Sequence, residues 1–179
     1  MNELNTQTFL MFNGLAGQSP VTDVVIVFFA DYLAYILVAV SVLSFSLWNS
    51  VRSLKIKAFI SAVVSIILSN VLFVPLIRFF YPHPRPSVTL SVVLELLTEK
   101  SLSFPSGHAT FFFALSTVLY LYNKKLGVFF LVLSAIMGLA RVAAGVHYPL
   151  DIVGGAILGA CCGFFTHHTV DKFSQRIVI

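Results

Sequence analysis

The sequence predicts an all-α, polytopic membrane helix bundle. It has five transmembrane helices, or six if the N-terminal segment also crosses, joined by short interfacial helices. Three observations carry this. Of 179 residues, 58% are hydrophobic and only 10% are charged, against roughly a quarter charged in a soluble domain. Mean hydropathy is +0.95. The apolar residues fall into five runs, most of them near the ~20 residues a helix needs to cross a bilayer. Such a chain is not an ordinary soluble domain, a disordered protein or a nucleic-acid-binding domain. Little is left over for an extramembrane unit, so residues 1–179 read as one membrane-embedded domain.

Each element has its own reason. Residues 1–20 are expected to hold an interfacial helix: Leu4 to Ala16 carries Phe9, Phe12 and Leu15, and Gly17 to Pro20 ends it. Glu3 is the only early charge, and no basic region precedes an apolar stretch, unlike a cleaved leader. The first span runs from Val24 to Trp48 and contains Asp31, a costly charge unless it pairs or reaches water. The second, Ala58 to Ile77, carries no charge, and its Asn70 reads as a helix–helix hydrogen bond. Residues 87–100 are expected to form a second interfacial helix. There Leu90, Val93, Leu94 and Leu97 follow helical spacing, while Ser91, Glu95, Thr98 and Glu99 fall on the other side.

The third span runs from Phe104 to Tyr122 and the fourth from Leu126 to Gly145, with Arg141 near its end. The fifth runs from Tyr148 to Phe165, where Gly155, Gly159 and Gly163 recur at the spacing that permits close helix packing. Cys161 and Cys162 are adjacent in this apolar run and read as small packing residues. Tyr81, Tyr148 and Trp48 read as interface anchors. His167 and His168 fall at the far end of the fifth span.

Loop charges orient the bundle. Arg52, Lys55 and Lys57, then Lys124 and Lys125, then Lys172 and Arg176 lie on one side of a five-span chain, which the positive-inside rule makes cytoplasmic. Arg78, Arg85, His108, Arg141, His147 and Asp151 then share one depth on the outer face. These outer cations oppose the bias that set the orientation, and a bound anion would account for them.

The pieces fit an anion chemically. Alternating Pro82, Pro84 and Pro86 hold Arg85 extended. Pro105 suits a first helical turn, which leaves Ser106 and Gly107 presenting a hydroxyl and amides at a helix N-terminus. Guanidinium forks from Arg85 and Arg141 match phosphate oxygens. His147 and Asp151, four apart, would share a helix face, so that the carboxylate holds one ring proton and frees the other nitrogen as a nucleophile. His108 could protonate a leaving oxygen.

With these residues in place, the sequence resembles the type-2 phosphatidic acid phosphatase superfamily of membrane lipid phosphatases. The resemblance rests on Arg78 with Arg85-Pro86, on Pro105-Ser106-Gly107-His108, and on Ala140-Arg141 with His147 and Asp151, spanning about Ala58 to Phe165. Two positions depart from the family pattern: Arg78 stands for Lys, and Ala140 for Ser. The resemblance implies His147 as nucleophile, Asp151 as its orienting carboxylate and His108 as general acid. It also implies that Arg78, Arg85, Ser106, Gly107 and Arg141 hold the phosphoryl oxygens. No cofactor or metal is expected, because no carboxylate cluster suits Mg²⁺. The compact layout with its N-terminal helix is similar to bacterial undecaprenyl-diphosphatases of the bacitracin-resistance type. That implies a polyprenyl diphosphate substrate, an outward-facing site in the cytoplasmic membrane and a part in recycling the cell-wall lipid carrier. Phosphatases of phosphatidylglycerophosphate, phosphatidic acid or lipid A are the alternative within the superfamily. A phospholipid transporter is the alternative outside it, against which stand the absence of a matching polar cluster on the other side and of an inverted repeat.

Overall fold

The computed structural model describes residues 3–48 and 50–177, with side chains as far as residue 175. Arg176, counted above among the tail charges, therefore has a side chain outside the described residues, and Asn2 lies outside altogether. Among the described residues the regular elements are all helical. They are α1 (Glu3–Asn13), α2 (Pro20–Leu47), α3 (Arg52–Phe80), the single turn α4 (Pro86–Thr89), α5 (Gly107–Tyr122), α6 (Lys124–Ala143) and α7 (Pro149–Ile177). The chain forms a membrane helix bundle: α2, α3, α6 and α7 are long and apolar enough to cross a membrane, and α5 is a shorter apolar helix. The α1 helix has 11 residues, about 16 Å, too short for a sixth crossing.

Span ends differ from the hydropathy reading for a simple reason. Hydropathy marks the lipid-facing stretch, whereas helical hydrogen bonding continues through charged turns. Thus α3 takes in Arg52, Lys55 and Lys57 before its apolar part, and α7 runs past Phe165 through His167 and His168. Ser19 accepts from the Thr22 N–H and starts α2 at Pro20, ahead of Val24. Two π-helical stretches, Phe28–Tyr32 in α2 and Ile67–Phe73 in α3, have no counterpart in the sequence periodicity. The first packs on α6 and the second on α5.

The α5 helix is the centre of the bundle, packed by α3, α6 and α7. Its Phe112, Leu115, Val118 and Leu119 meet Leu33 and Leu37 of α2, Ala62 of α3 and Phe130 and Met137 of α6 in the main core. The expected glycine seam is the α5–α7 contact. A Cβ at Gly155, Gly159 or Gly163 would approach the carbonyl oxygens of Ser106, Thr110 and Ala114 at 2.7, 2.3 and 2.9 Å. Only glycine lets these backbones meet. Buried hydroxyls inside the bundle are satisfied locally: Ser134 donates to the Phe130 carbonyl at 2.7 Å and lies 3.0 Å from the Ser116 hydroxyl. At the end remote from the cation cluster, Tyr122 lies 3.2 Å from the Ser61 hydroxyl and donates to Asp171 at 3.4 Å, while His167 pairs with Asp171.

The interfacial helix expected over 87–100 does not form. Only Pro86–Thr89 is helical, and residues 90–106 run as an irregular strap. Tertiary partners take the backbone groups that a helix would have used. The Leu94 N–H and C=O are both bonded by the Asn13 side chain, and the Leu96 N–H donates to the Ala144 carbonyl at 3.0 Å. Leu96 and Leu97 pack with Ala143, Ala144 and Val146. The helical spacing of the apolar residues was real, but these external hydrogen bonds outcompete a marginal short helix. The α1 helix forms as expected within 1–20. It binds the same region, with Phe9 against Tyr148 (centroids 5.3 Å apart) and Asn5 accepting from the Leu150 N–H at 3.1 Å.

Candidate active site

Four segments converge at one end of the bundle: the Tyr81–Pro86 run after α3, the start of α5, the end of α6, and the turn into α7. The prolines hold Arg85 extended as expected, with φ −76° and ψ 160°. Its guanidinium is buried and fully engaged. Nε donates to the Ser101 carbonyl at 2.7 Å, and Nη2 to Glu99 at 2.6 Å and to the Ser101 hydroxyl at 2.9 Å. Nη1 donates to the Val146 carbonyl at 2.5 Å and lies 3.4 Å from His147 Nε2.

Arg141 is completely buried at the end of α6. Its Nη1 donates to the Ala30 carbonyl at 3.0 Å, within the π-helical stretch of α2, and its Nη2 bonds Glu99. Its Nε has no partner among the described residues. Asp31, next to Ala30, lies within Coulombic reach of Arg141 and His108, so this span carboxylate sits beside the cluster.

His147 follows a tight turn at Gly145, whose φ is +85° and where a Cβ would meet the Leu94 carbonyl oxygen at 2.6 Å. The ring is buried. Nδ1 lies 3.4 Å from both Asp151 Oδ2 and the Ser103 hydroxyl, while Nε2 faces Arg85. Burial pushes the imidazole down from 6.5 to about 3; Arg141 and Arg85 act in the same direction, and the Asp151 hydrogen bond opposes them. Neutral imidazole with one nitrogen on a carboxylate carries its lone pair on the other, Nε2, which faces Arg85. Asp151 is itself held: Oδ2 accepts from the Tyr148 N–H at 2.8 Å and from the Ser103 hydroxyl, and its carbonyl accepts from the Ser106 N–H at 3.1 Å.

Ser106 is the N-cap of α5, with its hydroxyl accepting from the Ala109 N–H at 3.4 Å, and Gly107 is the first helical residue. Arg78 reaches this turn, where Nη2 donates to the Pro105 carbonyl at 3.0 Å. His108, in the first turn of α5, lines a cleft of about 330 Å³ with Ala34, Tyr35, Asn70 and Phe111. Asn70 is placed to join two helices: with its amide oxygen and nitrogen exchanged, it donates to the Gly107 carbonyl at 3.0 Å and accepts from the Phe111 N–H at 3.1 Å.

The structure therefore links Arg85, His147 and Asp151 directly and joins Arg141 to Arg85 through Glu99, with Ser106 joined through its backbone. Arg78, Gly107 and His108 surround the N-terminus of α5. Sequence reasoning missed Glu99, Ser101 and Ser103. A helical reading of 87–100 placed Glu99 on a solvent face, and serines in a strap carry no periodic signal. The available hint was an acidic residue close in sequence to a surplus of outer-face arginines.

The PAP2 superfamily matches residues 58–175. The chain is 33% identical over 176 residues to the bacitracin transport permease protein BcrC of Bacillus licheniformis, covering 97% of this chain and 84% of that protein. It is 28% identical over 163 residues to undecaprenyl-diphosphatase BcrC of Bacillus subtilis (strain 168), covering 90% and 81%. Among solved structures, Aquifex aeolicus LpxE superposes with a TM-score of 0.74 at 32% identity, covering 91% of this chain and 94% of that one.

Proposed function

The chain belongs to the PAP2 superfamily and is a membrane lipid phosphatase, and on that premise we propose that it removes the terminal phosphate of undecaprenyl diphosphate through a phosphohistidine on His147. The observation that carries the mechanism is the setting of His147: Nδ1 turned to Asp151, Nε2 turned to Arg85, and the ring neutral. Nε2 attacks the terminal phosphorus, forming a P–N bond as the P–O bond to the lipid-borne leaving group breaks. His108 gives its proton to the departing oxygen. Water then attacks phosphorus, its proton passes to His108, the P–N bond breaks and inorganic phosphate leaves. Arg85, Arg141 and Arg78, with Ser106 and the amides at Gly107, hold the equatorial oxygens as charge redistributes. The unpartnered Nε of Arg141 supports this role, since it is a buried donor beside the other arginine.

The polyprenyl diphosphate reading draws on the name of the Bacillus subtilis relative and on the loop charges, which turn this end of the bundle outward. In that orientation the enzyme works at the outer face of the cytoplasmic membrane and returns the cell-wall carrier as its monophosphate. The test is a side-by-side assay of purified protein on undecaprenyl diphosphate, phosphatidylglycerophosphate, phosphatidic acid and a lipid A phosphate. The expected order places the polyprenyl diphosphate first, and preference for a glycerolipid overturns the substrate assignment. Phosphate release in detergent, where no compartment exists, also separates hydrolysis from the transport activity in the name of the Bacillus licheniformis relative.

A further inference from the structure

Glu99 occupies the place that the phosphatase reading gives to a phosphoryl group. Its two carboxylate oxygens divide between the two buried guanidiniums, Oε2 on Arg85 at 2.6 Å and Oε1 on Arg141. An anion shared between two guanidiniums, one nitrogen from each, is an arrangement that a phosphoryl group could also take. The side chains of Arg85 and Arg141 are 3% and 1% exposed, whereas that of Glu99 is 29% exposed, so the carboxylate comes in from the open side. It comes on the irregular strap 90–106, not on a helix.

Donor accounting shows that Arg85 has no spare N–H while Glu99 is in place. A guanidinium has five N–H groups. Those of Arg85 face the Ser101 carbonyl, the Ser101 hydroxyl, the Val146 carbonyl, His147 Nε2 and Glu99. A phosphoryl group held by Arg85 must therefore replace one of these partners. Two are backbone carbonyls, one is the hydroxyl of the residue whose carbonyl Arg85 also holds, and the one on His147 Nε2 is given up only as that nitrogen attacks phosphorus, after the phosphoryl group has entered. Glu99 is the charged, exposed partner with no other hydrogen bond to hold it outside the two arginines among the described residues.

We propose that Glu99 is a resident competitor for phosphate: its carboxylate leaves the Arg85–Arg141 pair when the phosphoryl group enters and returns as inorganic phosphate departs. The proposal rests on the phosphatase reading of this site. Two buried arginines without an anion would carry an uncompensated desolvation cost, and Glu99 removes it between turnovers. A lipid phosphate, anchored in the bilayer at high local concentration, can displace the carboxylate. Free inorganic phosphate lacks that anchor, so the returning carboxylate weakens product retention and sets the anion affinity of the site.

The experiment is calorimetric titration of the purified full chain in detergent with inorganic phosphate, wild type against Glu99→Gln, with phosphate inhibition of lipid hydrolysis measured in parallel. Glutamine keeps the shape and removes the charge. The expected result is phosphate binding at least about tenfold tighter in Glu99→Gln, with a matching fall in the inhibitory phosphate concentration, a difference of about 1.4 kcal/mol. Equal or weaker phosphate binding by Glu99→Gln, at an unchanged melting temperature, overturns the proposal and leaves Glu99 as a brace for the arginines. Should that variant fail to fold, Glu99→Asp is compared in its place, since its shorter side chain withdraws the carboxylate. Tighter binding supports the proposal and equal or weaker binding overturns it. Phosphate binding by none of the proteins overturns the phosphate-site reading itself, and this proposal with it.

Discussion

His147 and Asp151 lie four residues apart, with Nδ1 3.4 Å from Oδ2, and that same carboxylate oxygen accepts from the Tyr148 N–H at 2.8 Å. The carboxylate is thus fixed by the backbone next to the imidazole before it acts on the imidazole. This arrangement keeps the ring in one tautomer, with Nε2 toward Arg85.

Loss of either member should be severe in different ways. His147→Ala removes the proposed nucleophile and is expected to abolish phosphate release. Asp151→Asn keeps the shape but misorients the ring, and turnover should fall on the order of 10⁴-fold, as for replacement of a triad carboxylate. Purified variants assayed on the same lipid check both, and wild-type-like release from His147→Ala overturns the assignment.

Ser103 is completely buried, with its hydroxyl on Asp151 and 3.4 Å from His147 Nδ1. Ser103→Ala leaves the buried carboxylate one donor short. The expected cost is about 1.5–3 kcal/mol of stability, the range for a hydrogen bond to a charged group, together with reduced turnover. Thermal melting in detergent and initial rates measure the two effects.

The α5–α7 seam predicts a graded series. Gly159→Ala puts a Cβ 2.3 Å from the Thr110 carbonyl oxygen, and Gly163→Ala puts one 2.9 Å from that of Ala114. Backbone cannot step aside as a side chain can, so the helices must separate. Gly159→Ala should cost at least about 1–3 kcal/mol, the range for overpacking, and Gly163→Ala less. Because Ser106 at the head of α5 bonds Asp151 in α7, Gly159→Ala should also slow turnover.

The buried imidazole makes stability depend on pH. Burial, which disfavours the charged form, pushes folded His147 down from 6.5 to about 3. Between these values the unfolded chain holds the extra proton. Stability from this group is therefore full above about pH 6.5 and falls as the pH drops toward 3. Unfolding in detergent at stepped pH should show this slope, and His147→Gln should make it shallower. The same depression keeps His147 neutral, so if it is the proposed nucleophile the acid limb of kcat/KM should not titrate as an ordinary histidine.

Much of the site was legible because its residues carry local signatures. Three alternating prolines around Arg85, the Pro105-Ser106-Gly107-His108 turn and the spacing of Arg141, His147 and Asp151 each predict a geometry within a few residues of chain. The structure places Arg85, His147 and Asp151 in contact and brings Arg141 to Arg85 across Glu99. Glu99 and Ser103 were illegible for the opposite reason. Their meaning lies in partners 42 and 48 residues away, Arg141 and Asp151, reached by a strap with no repeating hydrogen-bond pattern.

By itself, the sequence determined the membrane bundle and the end of the bundle where polar chemistry gathers, but it read the shorter apolar helix α5 as a full-length span. Lipid leaves a backbone no partner but itself, so an apolar run of sufficient length has to be a helix, and a charge kept there needs a reason. Only the tertiary structure decided the fate of residues 87–100, the π-helical stretch that presents the Ala30 carbonyl to Arg141, and the carboxylate of Glu99 between two arginines. In each case a local preference competed with a distant hydrogen bond. The distant bond prevailed because burial penalises an unsatisfied polar group more than it penalises a lost turn of helix.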